Sequence, residues 1–329
     1  MADVRRDDRG QLLLVTALAM ATLFVVLALL VNTTIYTGNV ASRSDVSESA
    51  HVINYRSEAV EAAGSAVGYA NRHDNESSPD VDAAYIALND SLRRSVANWS
   101  DTTAAHGALS GTATEMQVIT VQNGTRIAQT DSSRNLSSPT GATTWSPVTD
   151  ATGIRGPEMQ LATADLAAVS DDGDDVGQLV ADGSFRVNIT ETDGEVRSLF
   201  VYERNDGDVG VTVRSPGGTV RTCHAAADGL TTLNARAATF ENESCPALRA
   251  FDRADDAFEV SFVAAQNAVG TYSFAVDQRA DGTSVAPSLS LDSGMPFYTA
   301  AIYTADVNVT YRSPDTYYNA TVEVPNASV

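Results

Sequence analysis

The sequence predicts an α+β protein: an N-terminal transmembrane helix extended by a helical hairpin, followed by an antiparallel β-sandwich-like domain. Three observations carry this. A charge-free apolar run lies near the start, apolar positions then recur at helical spacing, and from Glu115 onward the period falls to two, with turn residues between the runs. The expected organisation is a cytoplasmic leader over 1–11, a membrane helix over 12–31, an extracellular helical region over 32–100 and an extracellular β-rich domain over 115–329, with a polar excursion near 130–181.

From Leu12 to Val31 the chain reads LLLVTALAMATLFVVLALLV, without a charge, Pro or Gly. At 1.5 Å per helical residue this covers about 30 Å, the thickness of the bilayer's hydrocarbon. A cleaved secretory signal has a shorter core and a small-residue cleavage site, whereas this run passes straight into Asn32, Thr33 and Thr34. Arg5, Arg6 and Arg9 precede it and the next Arg is Arg43, so the positive-inside rule places the N-terminus in the cytoplasm and the large domain outside the cell.

Beyond the run, Val46, Ala50, Ile53, Ser57, Val60, Gly64 and Val67 alternate spacings of four and three, a narrow helical stripe. Asn71 to Asp80 reads as a polar break, after which Tyr85, Leu88, Leu92, Val96 and Trp99 share one face of a second helix. The strand pairs expected next are EMQVITVQNGTRIAQT, SFRVNITETDGEVRSLFVYE, VGVTVRSPGGTVRTC, FEVSFVAAQNAVGTYSFAVDQ and TADVNVTYRSPDTYYNATVEV. Their turn signals are Asn123-Gly124, Asp193-Gly194, Pro216-Gly217-Gly218 and Pro314-Asp315. Thr130 to Ala181, rich in Ser, Thr, Gly and Asp, reads as a surface excursion with one short helix around Glu158 to Val169.

Charge narrows the partners. Asp and Glu total 42 against 21 Lys plus Arg, for a formal net charge of −21, and every one of those basic residues is Arg. Such a balance excludes a phosphate-binding surface of the usual basic kind, so no nucleic-acid partner is expected. It fits a salt-rich cell, where a Debye length of about 3 Å mutes repulsion between acids; a GC-rich genome also explains the missing Lys.

Sequons point the same way. Asn-x-Ser/Thr occurs at Asn75, Asn89, Asn98, Asn123, Asn135, Asn188, Asn242, Asn308, Asn319 and Asn326, besides the membrane-proximal Asn32. This exceeds what the Ser and Thr content alone produces, and suggests glycan acceptors on an exported surface. Cys223 and Cys245 lack the CxxC and His spacing of a metal site. Outside the cell they read as one disulfide, against the alternative of two buried thiols.

No catalytic constellation is expected, and no metal or cofactor. Asp171, Asp172, Gly173, Asp174 and Asp175 form the densest carboxylate cluster but lack EF-hand spacing, so a solvated loop is the simpler reading. His51, His73, His106 and His224 are scattered. GALSG around Ser110 has Ala108 where a nucleophile elbow needs Gly, and Asp292-Ser293-Gly294 has no partner motif. The C-terminal aromatics Phe297, Tyr298, Tyr303, Tyr311, Tyr317 and Tyr318 read as strand packing or as a glycan- or subunit-binding patch.

Arg9-Gly10-Gln11 followed at once by LLLVTALAM resembles the N-termini of haloarchaeal type IV pilin-like proteins and of single-pass membrane-anchored surface families with an RGQ start. The resemblance covers about the first thirty residues and the layout of a helix leading into a β-rich head. It implies cleavage between Gly10 and Gln11. Many pilins carry Glu early in the mature helix where this chain has Val15, which puts filament assembly in question. The expected function is a cell-surface structural or interaction protein, a minor pilin-like subunit whose partners are the lipid bilayer and other pilin-like subunits or surface proteins. The alternative is an anchored binding or sensory module outside filaments.

Overall fold

The computed structural model describes residues 20, 24, 50–73, 80–170, 173–251, 256–280, 285–291 and 295–325. The chain divides into two compact units, Met1–Ser57 and Glu58–Val329. In the first, Met20, Phe24 and 50–57 are helical. The leader with Gly10 and Gln11, and the rest of the apolar run, lie outside the described residues. No helix among the described residues is long and apolar enough to cross a membrane.

The second unit is α+β, with mostly antiparallel strands. Helices α1 (58–73) and α2 (Val81–Leu109) lead into β1 (Ala113–Gln129), β2 (Trp145–Ala151) and β3 (Ile154–Ala162). After the short α3 (Val176–Ala181) come β4 (Phe185–Glu191), β5 (Val196–Glu203), β6 (Val209–Arg214), β7 (Val220–Ala225), β8 (Leu230–Asn234), β9 (Thr239–Phe240) and β10 (Glu243–Ser244). The chain then forms β11 (Phe258–Val263), β12 (Gly270–Val276), β13 (Ser290–Leu291), β14 (Phe297–Arg312) and β15 (Tyr317–Pro325). A large sheet of nine strands runs β10-β9-β8-β3-β12-β1-β14-β13, with β15 also on β14; a small sheet of six runs β2-β11-β4-β5-β6-β7.

The two sheets share one hydrophobic core. Strict alternation in β4 sends Phe185, Val187 and Ile189 inward, where they meet Met159, Leu161, Tyr272 and Phe274 of the large sheet. Phe262 of β11 sits at the centre, in edge contact with Trp145, Phe185 and Tyr272 at centroid distances of 5.7, 5.8 and 5.0 Å. Each such pair adds about 1 kcal/mol to its burial. By contrast β5 is buried on both faces, because Phe200 and Tyr202 on its outer side are covered by Val169 and by Leu179 of α3.

The helices serve the large sheet. Asp80 caps α2, its carboxylate accepting from the N–H groups of Asp82 and Ala83. Tyr85, Leu88, Leu92 and Val96 are buried as expected. The lower half of β1 has β14 on one side only, and α2 closes its other edge: the Met116 N–H donates to Ser100 Oγ at 2.9 Å, and Arg93 donates to the Val118 carbonyl at 2.9 Å. On α1 the expected stripe positions Gly64 and Val67 are buried, whereas Val60 is half-buried and Ala59, Ala63 and Ala70 are buried beside the stripe.

Several expectations are corrected. Asn71 does not open a polar break; it is 1 % exposed and belongs to α1. Asn123-Gly124 makes no hairpin, because β1 pairs with β14 through it with a register shift at Gln122/Asn123. Gly124 is needed for closeness, since a Cβ there would lie 2.3 Å from the Val276 carbonyl oxygen. The region near 130–181 is no mere surface excursion: it contributes β2 to the small sheet and β3 to the large one. The helix expected at Glu158 to Val169 is instead the end of β3 and a single 3-10 turn, Thr163–Asp165, because β3 is paired on both edges and alternation sends Met159 and Leu161 inward. FEVSFVAAQNAVGTYSFAV is a crossover between sheets, with β11 in the small one and β12 in the large one. The other three turn signals join β4 to β5, β6 to β7 and β14 to β15.

Candidate functional site

The acidic segment around Gly173 is structural where it is described. Asp175 caps α3 by accepting from the N–H groups of Gly177 and Gln178. Tyr202, Thr212 and Thr222 form a hydroxyl ladder across three strands, at 2.9 and 3.1 Å, which reaches the Gly173 carbonyl from Thr212 and the Asp174 carboxylate from Thr222. A Cβ at Gly173 would meet Tyr202 Oη at 1.7 Å, so glycine there makes room for the tyrosine. Asp171 and Asp172 lie outside the described residues. The carboxyl of Asp182, at the end of α3, is held below its ordinary range by the Ser170 backbone N–H.

Ser110 ends α2, its hydroxyl donating to the Gly107 carbonyl at 2.9 Å, which accounts for GALSG. Glu191, Asp193 and Asp256 are the one grouping of three carboxylates among the described residues whose oxygens lie within 4.8 Å of one another. Its buried member, Glu191, already faces the Arg197 guanidinium at 3.5 Å. Cys223 and Cys245 are joined, with Cα atoms 5.9 Å apart. This bond ties β7, the edge of the small sheet, to the segment after β10, the edge of the large one. Among the sequons, Asn98, Asn242 and Asn319 are exposed, whereas Asn89, Asn123, Asn135, Asn188 and Asn308 are half-buried; Asn75 and Asn326 lie outside the described residues. Of the C-terminal aromatics, Tyr311 is buried and Tyr317 is 69 % exposed.

A groove that the sequence did not reveal lies on the face of the large sheet turned away from the small one. It holds a cavity of about 260 Å³ lined by Arg126, Glu158, Gln160, Thr232, Thr271 and Ser273, from β1, β3, β8 and β12. These positions alternate with the core residues Ile127, Met159, Leu233, Tyr272 and Phe274, which fixes the face they occupy. Register aligns them in rows: Thr271 opposite Gln160 opposite Thr232, and Ser273 opposite Glu158. Arg126 is half-buried and donates from Nε to Ser273 Oγ at 2.9 Å. Burial, then the nearby charge of Arg72, lowers the Arg126 pKa, and Glu158 partly offsets this. Four strands distant in sequence build the groove, so only the outward Ser/Thr positions within GTYSF hint at it.

The fold and groove define a disulfide-closed, two-sheet α+β unit with a polar recess. The sequence profile of a family of unknown function (DUF7261) matches residues 6–139. That stretch takes in the apolar run, α1, α2 and β1, and stops short of both sheets' remaining strands. No curated protein and no solved structure matches the chain.

Proposed function

We propose that the protein is a cell-surface structural or interaction protein of a halophile, a minor pilin-like subunit held by the Leu12–Val31 helix with its large β-rich unit outside the cell. The observation that carries this is the joining of Cys223 to Cys245 on a chain that also holds a charge-free run of membrane length. Structural disulfides persist in oxidising compartments, which suits an exported domain. In this reading a peptidase at the cytoplasmic face removes Met1 to Gly10 and leaves Gln11 first; the freed helix then packs among similar helices in place of lipid. N-terminal peptide sequencing of the membrane-bound protein tests it. A terminus at Gln11, with copurification in filaments, supports the subunit; a terminus at Met1 or Ala2 in all recovered protein removes it. Digestion of intact cells should remove epitopes beyond Val31 while sparing a tag at Met1, and protection of the β-rich unit would overturn the outside placement.

The second reading, an anchored binding module that never enters a filament, is favoured by the groove at Arg126. Retention of Arg5, Arg6 and Arg9 suits that role, since these charges resist passage through the bilayer.

A further inference from the structure

We propose that the groove on the outer face of the large sheet binds a carboxylate-bearing sugar, its carboxylate on the Arg126 guanidinium and its ring hydroxyls on Gln160, Thr232, Thr271 and Ser273. The inference deepens the binding-module reading and rests on it for its biological setting, though the groove's chemistry is independent of where the protein resides.

Arg126 supplies the charge handle. Its side chain donates from Nε to Ser273 Oγ, and among the described residues no protein acceptor meets its terminal nitrogens. A guanidinium recognises a carboxylate through two parallel N–H donors, a geometry that those two nitrogens can provide. Arg72 adds positive charge beside it, in a chain whose net charge is −21. Glu158 shares the lining, so the positive charge that an anion meets there is centred on the Arg126 guanidinium.

The remaining lining selects hydroxyls. Ser and Thr each donate and accept, and Gln does both through its amide, so the rows Thr271–Gln160–Thr232 and Ser273–Glu158 offer a lattice of mixed partners at strand spacing. That spacing is comparable to the span of a pyranose ring, and the cavity of about 260 Å³ admits a single sugar residue. The Tyr272 ring is turned into the core against Phe262 and Phe274, so it gives a neutral sugar no stacking platform. Charge then has to supply what stacking supplies elsewhere, which favours an acidic sugar over a neutral one.

The test uses full-length protein in molar KCl, titrated with methyl glucuronide and followed by saturation-transfer NMR, with methyl glucoside and acetate as controls. Glucuronide is expected to bind near the millimolar range, as suits about a dozen ligand atoms at ordinary efficiency. Glucoside and acetate should each bind at least about tenfold more weakly, a tenfold change being about 1.4 kcal/mol. Arg126→Gln should lower glucuronide affinity at least about tenfold, while Arg221→Gln on β7 should leave it unchanged. A Thr232→Val/Thr271→Val variant, which keeps side-chain shape, should weaken glucuronide and leave acetate alone. Absence of glucuronide binding to the unaltered protein overturns the proposal. So does acetate binding as tightly as glucuronide, or affinity indifferent to both variants. Any of these outcomes removes the ligand and leaves the surface placement to be judged by the N-terminus and by protease access.

Discussion

Asn71 of α1 completes both backbone hydrogen bonds of Ile302 in β14: its Nδ2 donates to the Ile302 carbonyl at 3.0 Å, and the Ile302 N–H donates to its Oδ1 at 2.7 Å. This happens in a gap. On that edge of β14, β13 pairs with Phe297 and Tyr298 and β15 begins pairing at Thr304, so among the described residues no strand pairs with Ile302 there. A side-chain amide there plays the part of the missing peptide and fastens α1 to the sheet.

Asn71→Leu keeps the volume and removes both partners, leaving a buried N–H and C=O unsatisfied. At about 1–3 kcal/mol for each orphaned group, the loss should be about 3 kcal/mol. Denaturant titration in molar salt would show it as a fall in midpoint. An unchanged midpoint would mean that water or another side chain takes over, and that the amide does not anchor α1.

The Cys223–Cys245 bond closes a loop of sequence separation 22 and links the outer edges of the two sheets. Loop-closure entropy assigns such a link about 3 kcal/mol. Cys223→Ala/Cys245→Ala should lose about that much and become open to protease between β7 and the 3-10 turn Pro246–Ala250, with the paired strands otherwise intact. Alkylation of unreduced protein should label neither cysteine. Labelling of both in cell-surface material would refute the bond.

Tyr272 predicts the alkaline behaviour. Its ring is 2 % exposed, its hydroxyl has no hydrogen-bond partner among the described residues, and burial raises its pKa well above the ordinary 10.0. Above pH 10 the unfolded chain gives up this proton and the folded chain keeps it, so the unfolded state binds fewer protons and stability falls as pH rises. Below pH 10 the contribution is constant. Tyr272→Phe should remove the alkaline loss and, by deleting an unpaired buried hydroxyl, be neutral or stabilising by about 1 kcal/mol at neutral pH. Melting curves at pH 7 and pH 10.5 compare the two proteins; equal alkaline losses would assign the effect to another group.

Local pattern revealed the elements whose signals are local. The period-two runs of β4 to β7 and their Asp193-Gly194 and Pro216-Gly217-Gly218 turns were legible because each hairpin closes on itself. Asn123-Gly124 misled for the opposite reason: the strand opposite β1 is β14, far along the chain, and its pairing carries β1 straight through a dipeptide that would otherwise turn. The buried role of Asn71 was hidden in the same way, since its partner Ile302 is 231 residues distant. The groove was the least legible feature. Most of its polar residues are outward positions of four strands, each unremarkable until register lines them up.

Sequon occupancy should follow the fold if transfer acts on the folded domain. Asn98 lies on the exposed side of α2, Asn242 in the turn between β9 and β10, and Asn319 on the edge strand β15, all exposed. Asn188 sits on a strand flanked by β5 and β11, and its Oδ1 is buried without a partner. Asn308 is flanked by β1 and β15, and its Nδ2 donates to Asn319 Oδ1 at 3.2 Å while Thr310 donates to its Oδ1 at the same distance. A transferase must take hold of the amide nitrogen and bend the chain around it, which an interior strand resists through ladder bonds on both edges and an edge strand or turn resists far less. Glycopeptide mass spectrometry should therefore find Asn98, Asn242 and Asn319 modified, and Asn188 and Asn308 bare. Glycans on Asn188 or Asn308 at comparable occupancy would show that transfer precedes folding. Bare asparagine at all three exposed sites in protein from the cell surface would remove the glycan reading of the sequons altogether.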